Sequence, residues 1–468
     1  MSKHPSRLVR RPLAAALLVA LVAPGAAFAQ TAREQALEAR VAELERQVQL
    51  LLTTQQQQQS QIATTQEQVG LVQSAQAAAP APALPAGKQP IQATTIVTAA
   101  NPGTTFSYGG FVKLDAMVTD TSDGRIADGS SGRLFYVPGT IPVGGAGADG
   151  GDPYTDLHAQ FSRFWLSADH VTDSGDKFKA LVEMDFFGGG SNALAGNEVA
   201  TNTYAVTLRQ AYVSWNKWLA GQTWSNFQDV AALPDAVDFV GVTDGTIFVR
   251  QAQVRYTSGP WSFALENPNT TVQAYAPYAA AAGARTTTGD NNLPDLTGRY
   301  NIKGDWGHFS VAAMLRQFKS GEHTDSGGAV SVSGRFNLGA SDDIRYMANA
   351  GSGIGRYMAF GLGSDVVQTN VGGDIEALTG YGGFVAWRHV FSPKLRSNLM
   401  YSAAHFDNDA ALIGWGVTER SQSYHANLIY SPFPKLDIGA EIGWGQRSLE
   451  DDRAGDLRRF HTTVKYSF

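Results

Sequence analysis

The sequence predicts an all-β transmembrane barrel of antiparallel strands, sixteen being the even count its turns support best, behind an N-terminal coiled-coil helix. Three observations predict it. From Phe106 to the C-terminus, aromatic-rich runs alternate apolar and polar residues with a period of two, as strands between lipid and water do. The connections between those runs alternate long and short, as in outer-membrane barrels. Only 17% of the 468 residues are charged, and 50 are glycine, against about 25% charged in soluble chains.

Composition also excludes. With no cysteine, disulfide scaffolds, thiolate zinc sites and cysteine nucleophiles are all absent. Lysine plus arginine number 36 against 42 acids, a net charge of -6. A generally basic nucleic-acid footprint is therefore missing, and nucleic acid is not an expected partner.

Residues 1–29 read as a secretory signal peptide. Lys3, Arg7, Arg10 and Arg11 precede the apolar run Leu13 to Ala23, and Ala27-Phe28-Ala29 is a small-residue cleavage site. The run is too short to span about 30 Å of hydrocarbon and ends at Pro24-Gly25. Removing the leader takes the net charge from -6 to -10.

Residues 30–73 carry a heptad register. Leu37, Val41, Leu44, Val48 and Leu51 step by four and three, and the seam continues through Gln55, Gln58, Ile62, Thr65, Val69 and Val72. Arg33 and Arg40 fall at g, where Glu38 and Glu45 at e of a parallel neighbour meet them. One chain cannot bury this stripe, so it implies an oligomer or, alternatively, an amphipathic helix lying on a partner. Residues 74–104, with Pro80, Pro82, Pro85, Pro90 and Pro102 among alanines, read as a semi-rigid spacer.

Residues 105–468 then read as one barrel. Strand cores fall near 107–119, 161–170, 177–187, 203–215, 218–224, 247–257, 261–267, 296–303, 307–318, 328–338, 344–350, 380–390, 394–405, 421–431, 436–446 and 457–468. The fifth, seventh and eleventh are weakly marked, which leaves fourteen or eighteen open. Short turns such as Thr172-Asp173-Ser174-Gly175 and Ser431-Pro432-Phe433-Pro434 alternate with long loops, 120–160 and 351–379 above all. A soluble sandwich would not combine these with a leader and an aromatic last strand. Sixteen strands leave an aqueous lumen, where eight would be filled by side chains.

Strand parity assigns the lumen. The polar face carries fourteen basic residues: Lys113, Arg163, Lys179, Arg209, Arg255, Arg299, Lys303, Arg316, Arg335, Arg345, Arg388, Arg396, Arg459 and Lys465. Seven acids share it: Asp115, Asp169, Glu183, Asp185, Glu266, Asp437 and Glu441. Such an excess raises the local anion concentration, and Arg163, Arg209, Arg255, Arg299, Arg316, Arg335, Arg388 and Arg396 are the expected pore-lining cations. Guanidinium groups take a carboxylate in two parallel bonds, so a dicarboxylate suits such a wall. The segment 225–246, with Phe227, Asp229, Asp235, Asp238 and Asp244, either folds inward as a constriction or stays an ordinary outer loop.

Enzyme motifs are missing. There is no H-E-x-x-H or G-x-S-x-G, and the histidines, including His158, His170, His308, His323, His405 and His425, are scattered and read as solvated. Gly351-x-Gly353-x-Gly355 has no βαβ unit around it. Asp120/Asp123/Asp128 and Asp149/Asp152/Asp156 contain enough oxygen for a hard cation but lack the EF-hand spacing, so neither metal nor cofactor is expected.

The runs YGGFVKLDAMVTD from Tyr108, SRFWLSADH from Ser162, LRQAYVSWNKW from Leu208, GQTWSNFQD from Gly221 and FVRQAQVRYT from Phe248 resemble the DcaP-like family of outer-membrane porins. The resemblance covers essentially the mature chain and implies a homotrimeric sixteen-stranded porin with a periplasmic coiled coil, passing small anions such as dicarboxylates. Its expected surroundings are outer-membrane lipid and lipopolysaccharide. An envelope tether, whose stalk engages a periplasmic or cell-wall partner, is the alternative.

Overall fold

The computed structural model describes residues 96–97, 103–145, 149–188 and 204–468. The predicted leader, the heptad seam and nearly all of the spacer lie outside the described residues. Ile96–Val97, at the spacer's end, pairs antiparallel with Thr105 and Phe106.

The first half of the barrel comprises β1 (Thr104–Thr121), β2 (Tyr154–His158), β3 (Arg163–Val171), β4 (Lys177–Gly188), β5 (Ala205–Trp215), β6 (Trp218–Trp224), β7 (Arg250–Ser258) and β8 (Trp261–Glu266). The second comprises β9 (Asp295–Gly304), β10 (Gly307–Ser320), β11 (His323–Leu338), β12 (Asp342–Ser352), β13 (Thr379–Ser392), β14 (Leu395–Phe406), β15 (Thr418–Tyr430), β16 (Leu436–Leu449) and β17 (Ala454–Ser467). Strands β2 and β3 form one stave, because both pair with β1: Asp115 to Thr119 with β2, Thr104 to Phe111 with β3. Sixteen staves result, each hydrogen-bonded to its sequence neighbours, and β17 closes the ring on β1 from Phe111↔Ser467 to Thr121↔Leu457. Closure leaves no unpaired sheet edge inside hydrocarbon, where an unsatisfied peptide costs several kcal/mol.

Alternation orients the wall. Val112, Leu114 and Val118 of β1, Phe460 and Val464 of β17, and Leu399, Leu428 and Ile442 between them are exposed to the outside. Their strand neighbours Lys113, Asp115, Arg459, His461, Asn398, Asn427 and Glu441 are buried within. At the short-turn end the outer face carries aromatic pairs, among them Trp218–Tyr256 at 4.8 Å, Trp261–Tyr300 at 4.6 Å and Trp306–Phe336 at 5.5 Å. Such rings suit the interface between hydrocarbon and water.

One expected strand start moves, and the loops add a sheet of their own. Residues 247–249, expected at the start of a strand, belong instead to the segment returning from the preceding loop: Ile247 is fully buried and bridges Met358. Strand β7 begins only at Arg250. At the long-loop end, Thr270–Gln273, Arg285–Thr288, Val366–Gln368 and Ile375–Ala377 form a separate four-stranded sheet tying two loops together.

Candidate pore lining and constriction

The segment between β6 and β7 lies inside the barrel and runs along most of its inner wall. At its start, Asn226 N donates to Glu266 Oε1 of β8 (2.8 Å), and Arg299 Nη1 of β9 donates to Gln228 O (2.6 Å). Asp229 Oδ2 lies 2.8 Å from His308 Nε2 of β10 and accepts from Ser333 Oγ of β11 at 3.0 Å. Farther round, Arg345 Nη1 of β12 donates to Leu233 O (2.5 Å), and Arg396 Nε of β14 donates to Asp235 Oδ2 (2.6 Å). Val237 is held from two strands, its N–H donating to Glu441 Oε2 of β16 (2.8 Å) and its carbonyl accepting from Lys113 Nζ of β1 (2.9 Å).

The returning limb crosses back. Ser423 of β15 donates to Asp244, Gly245 N donates to Ser402 Oγ of β14 (2.9 Å), and Asn349 Nδ2 of β12 donates to Gly245 O (2.6 Å). Gly245 packs on the backbone of Gly383 and Ala403 so closely that a Cβ there would collide with both. A glycine is required for that approach.

Four of the five named loop residues are buried, Phe227, packed edge-on to Tyr357 at 6.0 Å, Asp229, Asp238 and Asp244, and Asp235 is half-buried. Part of the first loop joins them. Tyr136 N donates to Asp238 Oδ2 and Tyr136 Oη to Asp244 Oδ1, both at 2.9 Å. Asp238 also lies 3.8 Å from His461 Nδ1. Burial disfavours both carboxylates. At Asp238 His461, helped by His425 and Arg459, outweighs it and holds the group well below the ordinary range; at Asp244 burial prevails over hydrogen bonds from Ser423, Ser421 and Tyr136 and raises it.

A break in the second stave adds an aromatic wall. Between β2 and β3 the chain turns, Ser162 N donating to Ala159 O (3.1 Å), and Phe161 is fully buried. It stacks on Phe239 of the inward loop, centroids 4.3 Å apart at 10°. The guanidinium groups of Arg209 and Arg163 lie over the Phe239 ring at 5.5 and 6.0 Å.

The eight predicted pore-lining arginines fall into two sets. Arg209 pairs with Asp185 (2.6 Å) and Glu183 (2.9 Å), Arg388 with Asp343 (2.6 Å), and Arg396 with Asp235 (2.6 Å) and Asp437 (3.3 Å). Arg316 is fully buried between Asp365 (2.6 Å) and Asp295 (3.2 Å), a tie between loops rather than an open surface. Arg163 meets only Asp185, at 4.0 Å. Among the described residues, Arg255, Arg299 and Arg335 have no ion-pair partner: Arg255 donates to Gln253 Oε1 (2.9 Å), Arg299 to the Gln228 carbonyl, and the Arg335 Nε is buried without an acceptor.

Several participants are missing from the sequence count. Asp295 and Asp343 lie one residue outside the strand cores read there, and both face inward. Arg250, a strand end of the opposite parity to Arg255, stacks over Trp224 at 4.9 Å and has no ion-pair partner among the described residues. His308, His425 and His461 are buried against Asp229, Glu441 (2.9 Å) and Asp115 (2.9 Å), not solvated. Continuing the alternation outward by a residue or two would have found the two aspartates; nothing in the sequence marks the histidine pairings, which depend on where the loop docks. In the two acidic clusters, Arg133 stands between Asp128 (3.1 Å) and Asp156 (2.8 Å).

Residues 25–468 match the family model described as DcaP outer membrane protein. Among solved structures, the outer membrane channel DcaP of Acinetobacter baumannii superposes with a TM-score of 0.63 at 24% identity, covering 80% of this chain and 99% of that one. An anion-selective porin from Comamonas acidovorans, at 10% identity, covers 78% of this chain and 100% of that one with a TM-score of 0.46. No curated protein matches.

Proposed function

Since the chain belongs to the DcaP outer membrane protein family and folds as a porin-type barrel, we propose that it passes small anions, dicarboxylates among them, by passive diffusion through its lumen. One observation carries the reading. Inside the barrel, carboxylates are matched by cations, imidazoles or, at Asp244 and Glu266, neutral donors, whereas Arg255, Arg299 and Arg335 make no ion pair among the described residues. Three guanidinium groups outside any ion pair therefore lie on the staves β7, β9 and β11. A cationic wall of low dielectric concentrates anions, and spaced guanidinium groups pass a carboxylate from one to the next without trapping it. A barrel that conducts without chemistry agrees with the family, and no enzyme role is proposed.

The heptad stripe is best buried in an oligomer, and the family resemblance makes that oligomer a homotrimer whose stalks pair on the periplasmic side. The same stripe supports a second reading, an envelope tether. Planar-bilayer reversal potentials under a potassium chloride gradient test the first: anion preference is expected, enhanced block by a four-carbon dicarboxylate accompanies it, and cation preference contradicts it. Deleting Thr31 to Val72 separates the readings, because a porin keeps its single-channel conductance and a tether loses its envelope attachment.

A further inference from the structure

At the long-loop end, four loops enclose a cavity of about 240 Å³ that contains no carboxylate side chain in its wall. Two arginines reach it, neither of them among the lumen cations above. Arg285 donates to the carbonyls of Gly361 and Gly363, the latter at 2.8 Å. Arg447 donates through Nε to Thr418 Oγ1 (2.9 Å) and through Nη1 to the carbonyls of Gly139 (3.1 Å) and Ile141 (3.2 Å). These bonds fix both planar groups and leave the Arg447 Nη2 hydrogens without an acceptor among the described residues. The nearby carboxylates are engaged elsewhere, Asp365 on Arg316 and Glu450 on Asn408 (2.8 Å).

The backbone on the cavity's wall is equally donor-rich. Ala359, Phe360 and Gly361 are successive residues of positive φ (54°, 55° and 72°). Around them, the amides of Phe360, Leu362, Gly363 and Ser364 donate to no acceptor among the described residues. Amides freed by left-handed turns form anion-binding concavities, and arginines held by carbonyls retain their full charge for a ligand.

From this convergence we infer that the cavity is a saturable capture site for one small oxyanion, inorganic phosphate or a short carboxylate, at the mouth of the channel. The inference rests on the anion-channel reading and deepens it, since the solute is bound before it meets the lumen arginines. Calorimetric titration of the detergent-solubilised full chain, once with inorganic phosphate and once with acetate, tests it. Saturable one-site heats are expected for at least one of the two, and the stronger arm identifies the oxyanion. Ala282→Asp places a carboxylate in the cavity while leaving both arginine networks intact, and is expected to weaken binding about tenfold. Arg447→Gln is expected to weaken it by a similar factor. No saturable heat from either ion, or binding undiminished by Ala282→Asp in a barrel that keeps its folded gel mobility, overturns the capture site. A wild-type channel that prefers anions but shows no saturable heat defeats this inference alone; one that prefers cations defeats the reading beneath it.

Discussion

From β14 round to β1, the lumen wall is covered by the inward loop and its charges are closed off: Arg396 on Asp235 and Asp437, His425 on Glu441, His461 on Asp115 and Asp238. From β3 to β11, by contrast, Arg163, Arg255, Arg299 and Arg335 line the wall with a distant carboxylate or none. Both sectors come from the same alternating strand pattern. The difference lies in where the ion pairs fall: Arg396 is tied to the loop acid Asp235, whereas Arg299 meets the loop only through the Gln228 carbonyl, and Arg255 and Arg335 have no ion-pair partner among the described residues.

Removing the loop is the most severe way to break this contrast. Replacing 230–243 with a short glycine-serine connector takes away the contacts of Asp235 and Asp238 and is expected to raise single-channel conductance about twofold or more, because a sixteen-stranded barrel is wide without an inward loop. Unchanged conductance would mean that the loop does not narrow the path.

Next in size is Asp238→Asn. Loss of a buried charge beside His461 costs about 3 kcal/mol, and the expected result is a loosened loop, read as added open-channel current noise and a lower temperature for loss of the folded gel mobility. Asp244→Asn is expected to have far less effect, since burial already favours the uncharged form there. Equal behaviour of the two variants would erase the distinction between these neighbouring carboxylates.

The smallest effect is that of mild acid. Asp238 is held below the ordinary aspartate value of 3.8, so its stabilisation is present above that value and is lost only as pH falls through the lower, docked-state one. Asp244 has the opposite sign: raised above 3.8, it favours docking below that value, and the contribution is lost as pH rises through the docked-state one. Going from neutral pH to about pH 5 therefore leaves Asp238 charged, and these two groups are expected to keep the loop docked. A conductance step over that interval would contradict this expectation.

The staves were readable because lipid outside and water inside force a period of two; the parity of Lys113 against Leu114, or of Arg459 against Phe460, follows from that alone. The lumen's charge was readable only in part. The seven acids visible by parity omit Asp295 and Asp343 at strand ends, and Asp229, Asp235, Asp238, Asp244 and Asp365, which long loops carry back inside. Arg316 shows the consequence most clearly: its parity is that of a pore residue, yet Asp365, from a loop 49 positions away, buries it. Contacts of that range depend on how a loop docks, and periodicity contains no such information. Phe161 was likewise hidden, since a break between β2 and β3 rather than strand alternation turns it onto Phe239.

The division of the lumen into a closed and an open side is tested most directly by reversal potentials of two variants against the parent chain. Arg255→Gln, Arg299→Gln and Arg335→Gln together remove unpartnered charge; Arg388→Gln and Arg396→Gln together remove charge already matched by Asp343, Asp235 and Asp437. The account predicts that the first variant loses most of the anion preference and that the second keeps it, with the loop loosened. Anion preference that survives the first change and disappears with the second would contradict it.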